Sequence, residues 1–265
     1  MAKRLVINAD DFGETEHINR SIIKCYTQGA VTDVSFLVVG ESFEHALGLA
    51  KENGIKRAGI HLALTGDFKP VSPAQSVSTL IGADAKFSRN HRTFLAKYFF
   101  GTINTGEIYT EFKNQISKIK TRGIEVSHLD SHEHIHMVPG ILKITIKLMK
   151  EEGIRHIRFP QEKVNLFSKL TDPAASARNI LLSFMCTLSK KTLNTSGTKR
   201  NDNFLGHARA LRLKKKELIR AIAGLKEGLT ELSCHPGKRA EETDTLCDAG
   251  FIKELKAHSI ELVPH

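Results

Sequence analysis

Short apolar runs alternate with amphipathic segments along most of this chain. Runs at Arg4–Ala9, Val31–Val39, Ala58–Ala63, Glu125–Asp130, His156–Phe159, Leu229–Ser233 and Ile260–Val263 read as strands. Between most of them, helical spacing covers Glu16–Gln28, Phe43–Asn53, Gly106–Arg122, Gly140–Glu152, Lys214–Leu225 and Ala249–His258. Gly29, Gly54, Gly123 and Gly153 follow four of these helices just before the next strand, where glycine is the favoured residue. Strands alternating with helices across short turns predict a parallel sheet. Several such units in 265 residues favour barrel-like closure over a small doubly wound sheet. The expected class is therefore α/β, as one domain over residues 1–265.

Two stretches break the rhythm. Residues 65 to 104 contain Pro70 and Pro73 and little clear strand. Residues 160 to 212 read as a mainly helical insertion, centred on 165–205 with its helix over Leu170–Leu193, followed by a polar stretch. Long connections in a compact domain are often lids or binding loops. Ile180, Leu181, Leu182, Phe184 and Met185 beside basic residues fit a lid, a homodimer contact or a peripheral membrane contact. They fit equally an insertion packed onto its own barrel.

Composition narrows the classes. A hydrophobic content of 40% supports a substantial core. The opening Met1-Ala2-Lys3-Arg4 lacks the apolar segment of a signal peptide, and no run reaches transmembrane length. Cys25, Cys186, Cys234 and Cys247 form no CxxC pair, so a zinc knuckle or redox motif is not indicated and reduced thiols in a cytoplasm are expected. The net charge of +10 admits nucleic acid, an anionic membrane or an acidic substrate. Basic residues are dense at Lys190, Lys191, Lys199, Arg200, Arg209, Arg212 and Lys214 to Lys216. Trp is absent, Tyr is rare and no nucleic-acid-binding signature appears, so a solvated basic surface is expected and no nucleic-acid partner.

The candidate chemistry begins with Asp10 and Asp11, at the end of the first apolar run in LVINADDFG. Adjacent carboxylates repel each other and are costly to bury. A helix N-cap explains one aspartate but not both. His61, in Gly59-Ile60-His61-Leu62, reads as a core histidine or a ligand. The segment HLDSHEHIH, residues 128–136, holds Asp130, His132, His134 and His136, a density that suits a metal. Cys234-His235-Pro236-Gly237 follows another strand, and Arg158 lies late in the fifth. In a parallel barrel all these positions share the C-terminal face, which carries the active site. One carboxylate and two imidazoles with open positions describe a catalytic metal site.

NADDFG, the GxHL-type His61, DSHxHxH at 130–136 and the late CHP together resemble the YdjC-like (ChbG/HpnK) carbohydrate deacetylases. The resemblance covers nearly the whole chain in motif order, and around Phe87 to Phe100 it leans to the hopanoid-associated HpnK-type branch. It implies a distorted TIM-like (β/α) barrel related to polysaccharide deacetylases. It also implies metal-dependent removal of an N-acetyl group from an amino sugar or glycolipid-type carbohydrate. Carried over, Asp11, His61 and His132 would bind one divalent ion. Asp10 would be the general base and His235 the acid, Asp130 would orient a histidine or the metal water, and Arg158 would position the sugar or stabilise the developing oxyanion. Ligand softness favours Zn, Mn or Co, whereas the family implies Mg. His134 and His136 receive no role. Rival expectations are another metal hydrolase, such as a phosphoesterase or non-sugar amidohydrolase, and a basic nucleic-acid or membrane-surface binding protein with a vestigial site.

Overall fold

The computed structural model describes residues 2–162, 173–206 and 215–265, with only the backbone for 173–178. In chain order the elements are β1 (Lys3–Phe12), α1 (Glu16–Gln28), β2 (Asp33–Phe36), α2 (Phe43–Glu52), β3 (Arg57–Leu62), α3 (His91–Phe99), α4 (Thr105–Lys120), β4 (Glu125–Ser131) and α5 (Pro139–Glu152). There follow β5 (His156–Ile157), α6 (Pro173–Ser196), β6 (Lys199–Arg200), β7 (Asn203–Leu205), α7 (Lys215–Ala223), β8 (Gly228–Cys234), α8 (Ala240–Leu246), α9 (Ala249–Ala257) and β9 (Ile260–Leu262).

All nine strands join one parallel sheet in the order β6-β5-β4-β3-β2-β1-β8-β7, with β9 also paired to β1. The edge strands β6 and β7 are separated in sequence only by Asn201 and Asp202. Three peptide steps reach about 10 Å, so the sheet must curl until its edges nearly meet. The short link is pinned from both sides. Asn201 accepts from Phe159 N at 2.7 Å and donates to Phe159 O at 2.9 Å. Asp202 donates its N–H to Leu229 O and accepts from Leu229 N, both at 2.8 Å. The result is the expected α/β architecture, a distorted barrel with helices outside.

Because both faces of the sheet are covered, central strands are buried almost throughout; β1 is buried from Leu5 to Phe12. That is why they appear as continuous apolar runs rather than alternations. Two strand expectations shorten. The Val31–Val39 run leaves the ladder after Phe36, where the still-buried chain turns over the end of β1 and Leu37 N–H bonds to Phe12 O. The fifth strand keeps only His156–Ile157: Arg158 N–H still bonds Leu129 O at 3.0 Å, but Phe159 N–H turns to the Asn201 side chain. The helix α6 lies within the stretch read as a mainly helical insertion. The start of the expected Leu170–Leu193 helix, residues 207–212 and Lys214 lie outside the described residues.

The helix α3 falls inside the stretch, residues 65–104, that shows little clear strand. It carries no continuous apolar stripe, and Phe94 is its one fully buried side chain. Its start is set by Asn90, whose Oδ1 accepts from Thr93 N at 3.1 Å as an N-cap. The elements β6 and β7 are too short for any periodicity to show.

Candidate metal and catalytic site

Every candidate residue comes from the C-terminal end of a strand. Asp10 and Asp11 close β1, His61 closes β3, Asp130 closes β4, Arg158 follows β5 and His235 follows β8. Register aligns them: His61 sits beside Asp130, and Ala9 beside Cys234. In a regular strand Asp10 and Asp11 would point to opposite faces. Here the β1–β2 register shifts between Ala9 and Phe12, and Asp11 has φ +66°. This bulge turns both carboxylates into one cavity of about 360 Å³, lined also by His61, His132, His235 and Lys238. A non-glycine residue in the left-handed region is strained, and aspartate tolerates it better than most.

The two carboxylates meet different partners. Asp10 is 1% exposed and is held by four donors. Arg158 donates from Nη1 to Oδ2 at 2.6 Å and from Nη2 to Oδ1 at 2.7 Å. Asn8 donates to Oδ1 and Ser233 to Oδ2, each at 2.8 Å. Burial alone would raise the Asp10 carboxyl, but the Arg158 guanidinium, with His61 and His235, holds it well below the usual carboxylate range. Asp11 instead faces the cleft. Its Oδ1 lies 3.1 Å from His132 Nδ1 and 3.4 Å from His61 Nε2, and its Oδ2 lies 2.8 Å from Lys238 Nζ. Against burial, Lys238 and then the two histidines keep it ionised.

Asp130 organises His61 from behind. Its Oδ1 is 2.8 Å from His61 Nδ1, which assigns the Nδ1–H as donor and turns Nε2 toward Asp11. Burial lowers the affinity of His61 for a proton, but Asp130, Asp10 and Asp11 outweigh it and raise the imidazole to about 9. Ser35 donates to Asp130 Oδ2 at 2.9 Å, and Arg158 Nη2 approaches the same oxygen at 2.6 Å.

The expectation for Arg158 is to position the sugar or stabilise the developing oxyanion, and the structure places it elsewhere. Its side chain is 0% exposed, and Nε also bonds Glu231 at 2.6 Å, so all three guanidinium nitrogens are taken by carboxylates behind the cleft. It positions Asp10 and Asp130. His136 is likewise a structural group: Nε2 donates to Arg158 O at 2.9 Å, Ser131 Oγ lies 2.6 Å from Nδ1, and burial pushes its pKa down to about 4. His134 lines the cavity, packed edge-on to Phe204, with the left-handed backbone (φ +55°) it shares with Glu133. His235 Nε2 is 3.8 Å from Asp10 Oδ2, and the His235 backbone N–H is fixed by Glu242 at 2.7 Å.

Several neighbours of these side chains escape the sequence. Asn8 shares a strand face with Asp10 by the two-residue period, which is a signal in hindsight. Glu231 and Ser233 are polar residues inside an apolar strand. Lys238 bridges Asp11 and Glu14, and His91 pairs with Glu133 at 2.8 Å on the cavity wall; neither has a sequence signature.

The donor set fits a cation. Ligand atoms of Asp11, His61 and His132 all lie within 4.8 Å of one another, and the Lys238 ammonium already places positive charge on Asp11. A second cluster, Asp10, His61 and Asp130, has similar spacing. There the Arg158 charge occupies both carboxylates and competes with any ion.

The sequence profile of the YdjC-like proteins matches residues 4–257. The chain belongs to the YdjC-like family. Relatives named carbohydrate deacetylase include one from Homo sapiens, 30% identical over 88% of this chain and 75% of its own length. One from Brevibacillus brevis is 36% identical over 63% of this chain. The alignments to the Brevibacillus relative and to a Clostridium beijerinckii one span 66% and 60% of those proteins. Among solved structures, an Enterococcus faecalis protein described as a candidate for cellobiose-phosphate cleavage superposes with TM-score 0.78 at 21% identity, over 99% of this chain and 97% of its own. A lactam utilization protein from Thermus thermophilus gives 0.54 at 14% identity, over 99% of this chain and all of its own. For this YdjC-like chain those two likenesses establish the curled parallel fold.

Proposed function

We propose that this chain is a metal-dependent N-deacetylase acting on an acetylated amino sugar. The observation that carries the reading is the division of the Asp10–Asp11 pair, one carboxylate locked to a buried arginine and the other facing two imidazoles across the cavity. The names of the relatives add the acetylated carbohydrate as substrate class.

Asp11, His61 and His132 would hold the ion, which when bound supplies Lewis acidity to an acetyl carbonyl and lowers the pKa of a water. The other roles belong to protein groups. Arg158 keeps Asp10 ionised, so that it is ready to accept a proton from the attacking water. The four donors make Asp10 a weak base, adequate for a water already acidified. The Ser233 hydroxyl, bonded to Asp10 Oδ2, is a rotor that can turn as the proton arrives. His235, beside Asp10, gives a proton to the departing amine nitrogen, which leaves as the free amino sugar while the acyl group leaves as acetate. Asp130 fixes His61 with Nε2 forward. Two imidazoles favour Zn, Mn or Co, and family resemblance favours Mg.

The discriminating experiment compares acetate release from N-acetylglucosamine oligomers with phosphate release from generic phosphate esters, using protein reconstituted in turn with Zn, Mn, Co and Mg. Acetate release that chelation abolishes is expected. Phosphate release without acetate would replace the deacetylase reading by the phosphoesterase one.

A further inference from the structure

We propose that the face built by α3 and α6 at the mouth of the cleft docks onto an anionic lipid bilayer. Seven large hydrophobic side chains are exposed among the described residues, and six lie on or beside these two helices. They are Phe99 (65%), Phe100 (85%), Ile180 (47%), Leu181 (44%), Phe184 (59%) and Leu188 (52%). Ile180, Phe184 and Leu188 recur every four residues, so they form one stripe along α6.

The stripe belongs to the rim of the catalytic cavity. A groove of about 340 Å³ runs between the helices, lined by Arg92, Leu95 and Phe99 from α3 and Leu181 and Met185 from α6. Leu95, Leu181 and Met185 also line the catalytic cavity, so the apolar face and the cleft are continuous.

Charge selects the occupant. No Asp or Glu occurs between Asp84 and Glu107, nor anywhere in α6. The same segments carry exposed Arg92, Lys190 and Lys191, with Lys97 half-buried. Aromatic and aliphatic side chains rimmed by basic ones are the composition of a face that sits in the headgroup region of an anionic membrane. A second copy of this face across a two-fold axis would oppose like charges. No described helix is long and apolar enough to cross a membrane, so the contact is peripheral.

The proposal does not depend on the deacetylase reading, and its test needs no turnover. The full chain is sedimented with vesicles of phosphatidylcholine alone and with vesicles containing about 30% phosphatidylglycerol, at low and high salt. Binding to the anionic vesicles, at least tenfold weaker at high salt, is expected. The variant Phe100→Ser/Phe184→Ser/Leu188→Ser alters three exposed side chains that line neither cavity. It is expected to keep its thermal transition and lose at least tenfold in vesicle affinity. Wild-type protein that stays in the supernatant overturns the proposal, and so does a variant that still binds like wild type. A dimer in sedimentation equilibrium that the same substitutions dissociate also overturns it, because the face is then covered by a second copy.

Discussion

Replacing Arg158 by Lys tests how much of the site rests on one buried guanidinium. Arg158 makes three 2.6 Å contacts, to Asp10, Asp130 and Glu231, with both it and Glu231 fully buried. Removing one partner of a buried ion pair costs about 3–5 kcal/mol, because it strands the other charge. Lysine retains the charge but offers a point donor instead of a fork, so it satisfies one or two of the three carboxylates. The expected loss is about 2–4 kcal/mol, and a shift of about 2–4 °C per kcal/mol gives a Tm lower by roughly 5–15 °C. Asp10 loses its bidentate partner in the same variant. Its carboxyl then rises toward the value that burial alone favours, and the acid limb of the kcat/KM–pH profile moves up by about one unit or more. Thermal unfolding and the pH profile read the two effects separately. Adding Glu231→Gln should recover part of the lost stability, since it removes a stranded charge. A Lys variant with unchanged Tm and unchanged acid limb would mean that the buried guanidinium sustains neither the fold nor the ionised Asp10.

Other outcomes follow from the same geometry. Ser233→Ala removes one of four donors to ionised Asp10, so the acid limb should rise modestly with the Tm little changed; an unmoved limb means Ser233 does not tune that carboxylate. Asp11→Asn keeps a side chain that tolerates the left-handed backbone and removes the charge, so metal content by elemental analysis should fall well below one ion per chain while the fold survives. His136 stays neutral when folded, with a pKa of about 4 against about 6.5 unfolded. The unfolded chain therefore takes up the proton first on acidification, and this histidine withdraws about 2 kcal/mol of stability between pH 7 and pH 5. His156, also near 4 through burial, acts in the same direction, and Asp33, raised to about 6 by burial, opposes them in part. Urea midpoints at the two pH values should show a net loss on acidification, and a flat profile would contradict the assignment. Gly59→Ala would drive a Cβ into the His128 ring and Ser35 Oγ, beside the Asp130 network. A loss of about 1–3 kcal/mol is expected from such overpacking, read as a lower Tm.

The fold was legible where burial writes a long pattern. The central strands and most of the outer helices stand out because a parallel sheet covered on both faces needs continuous apolar runs. The barrel-closing strands were not legible, because two or three residues carry no period and their pairing is fixed by Asn201 and Asp202 far from their partners. In the site, residue types could be placed at strand ends, and the motifs gave Asp10, Asp11, His61, His132 and His235 together. What could not be read is the bulge at Asp11, since a register shift depends on the neighbouring strand. The Arg158 fork was equally invisible, because Glu231 lies 73 positions away in sequence. Arg158 read as a group that could reach substrate since nothing local shows that carboxylates surround it. Lys238 and the His91–Glu133 pair, which joins the first residue of α3 to the turn after β4, depend on approaches that only tertiary packing decides.

On the proposed division of labour, Asp11 holds the ion and Asp10 takes the proton. Metal content and acetate release, measured on one preparation of Asp10→Asn, address it directly. Asp10→Asn should retain its metal and release no acetate from N-acetylglucosamine oligomers, beside an active wild type. A variant that hydrolyses the oligomers at the wild-type rate, or that loses its metal as Asp11→Asn does, would contradict it.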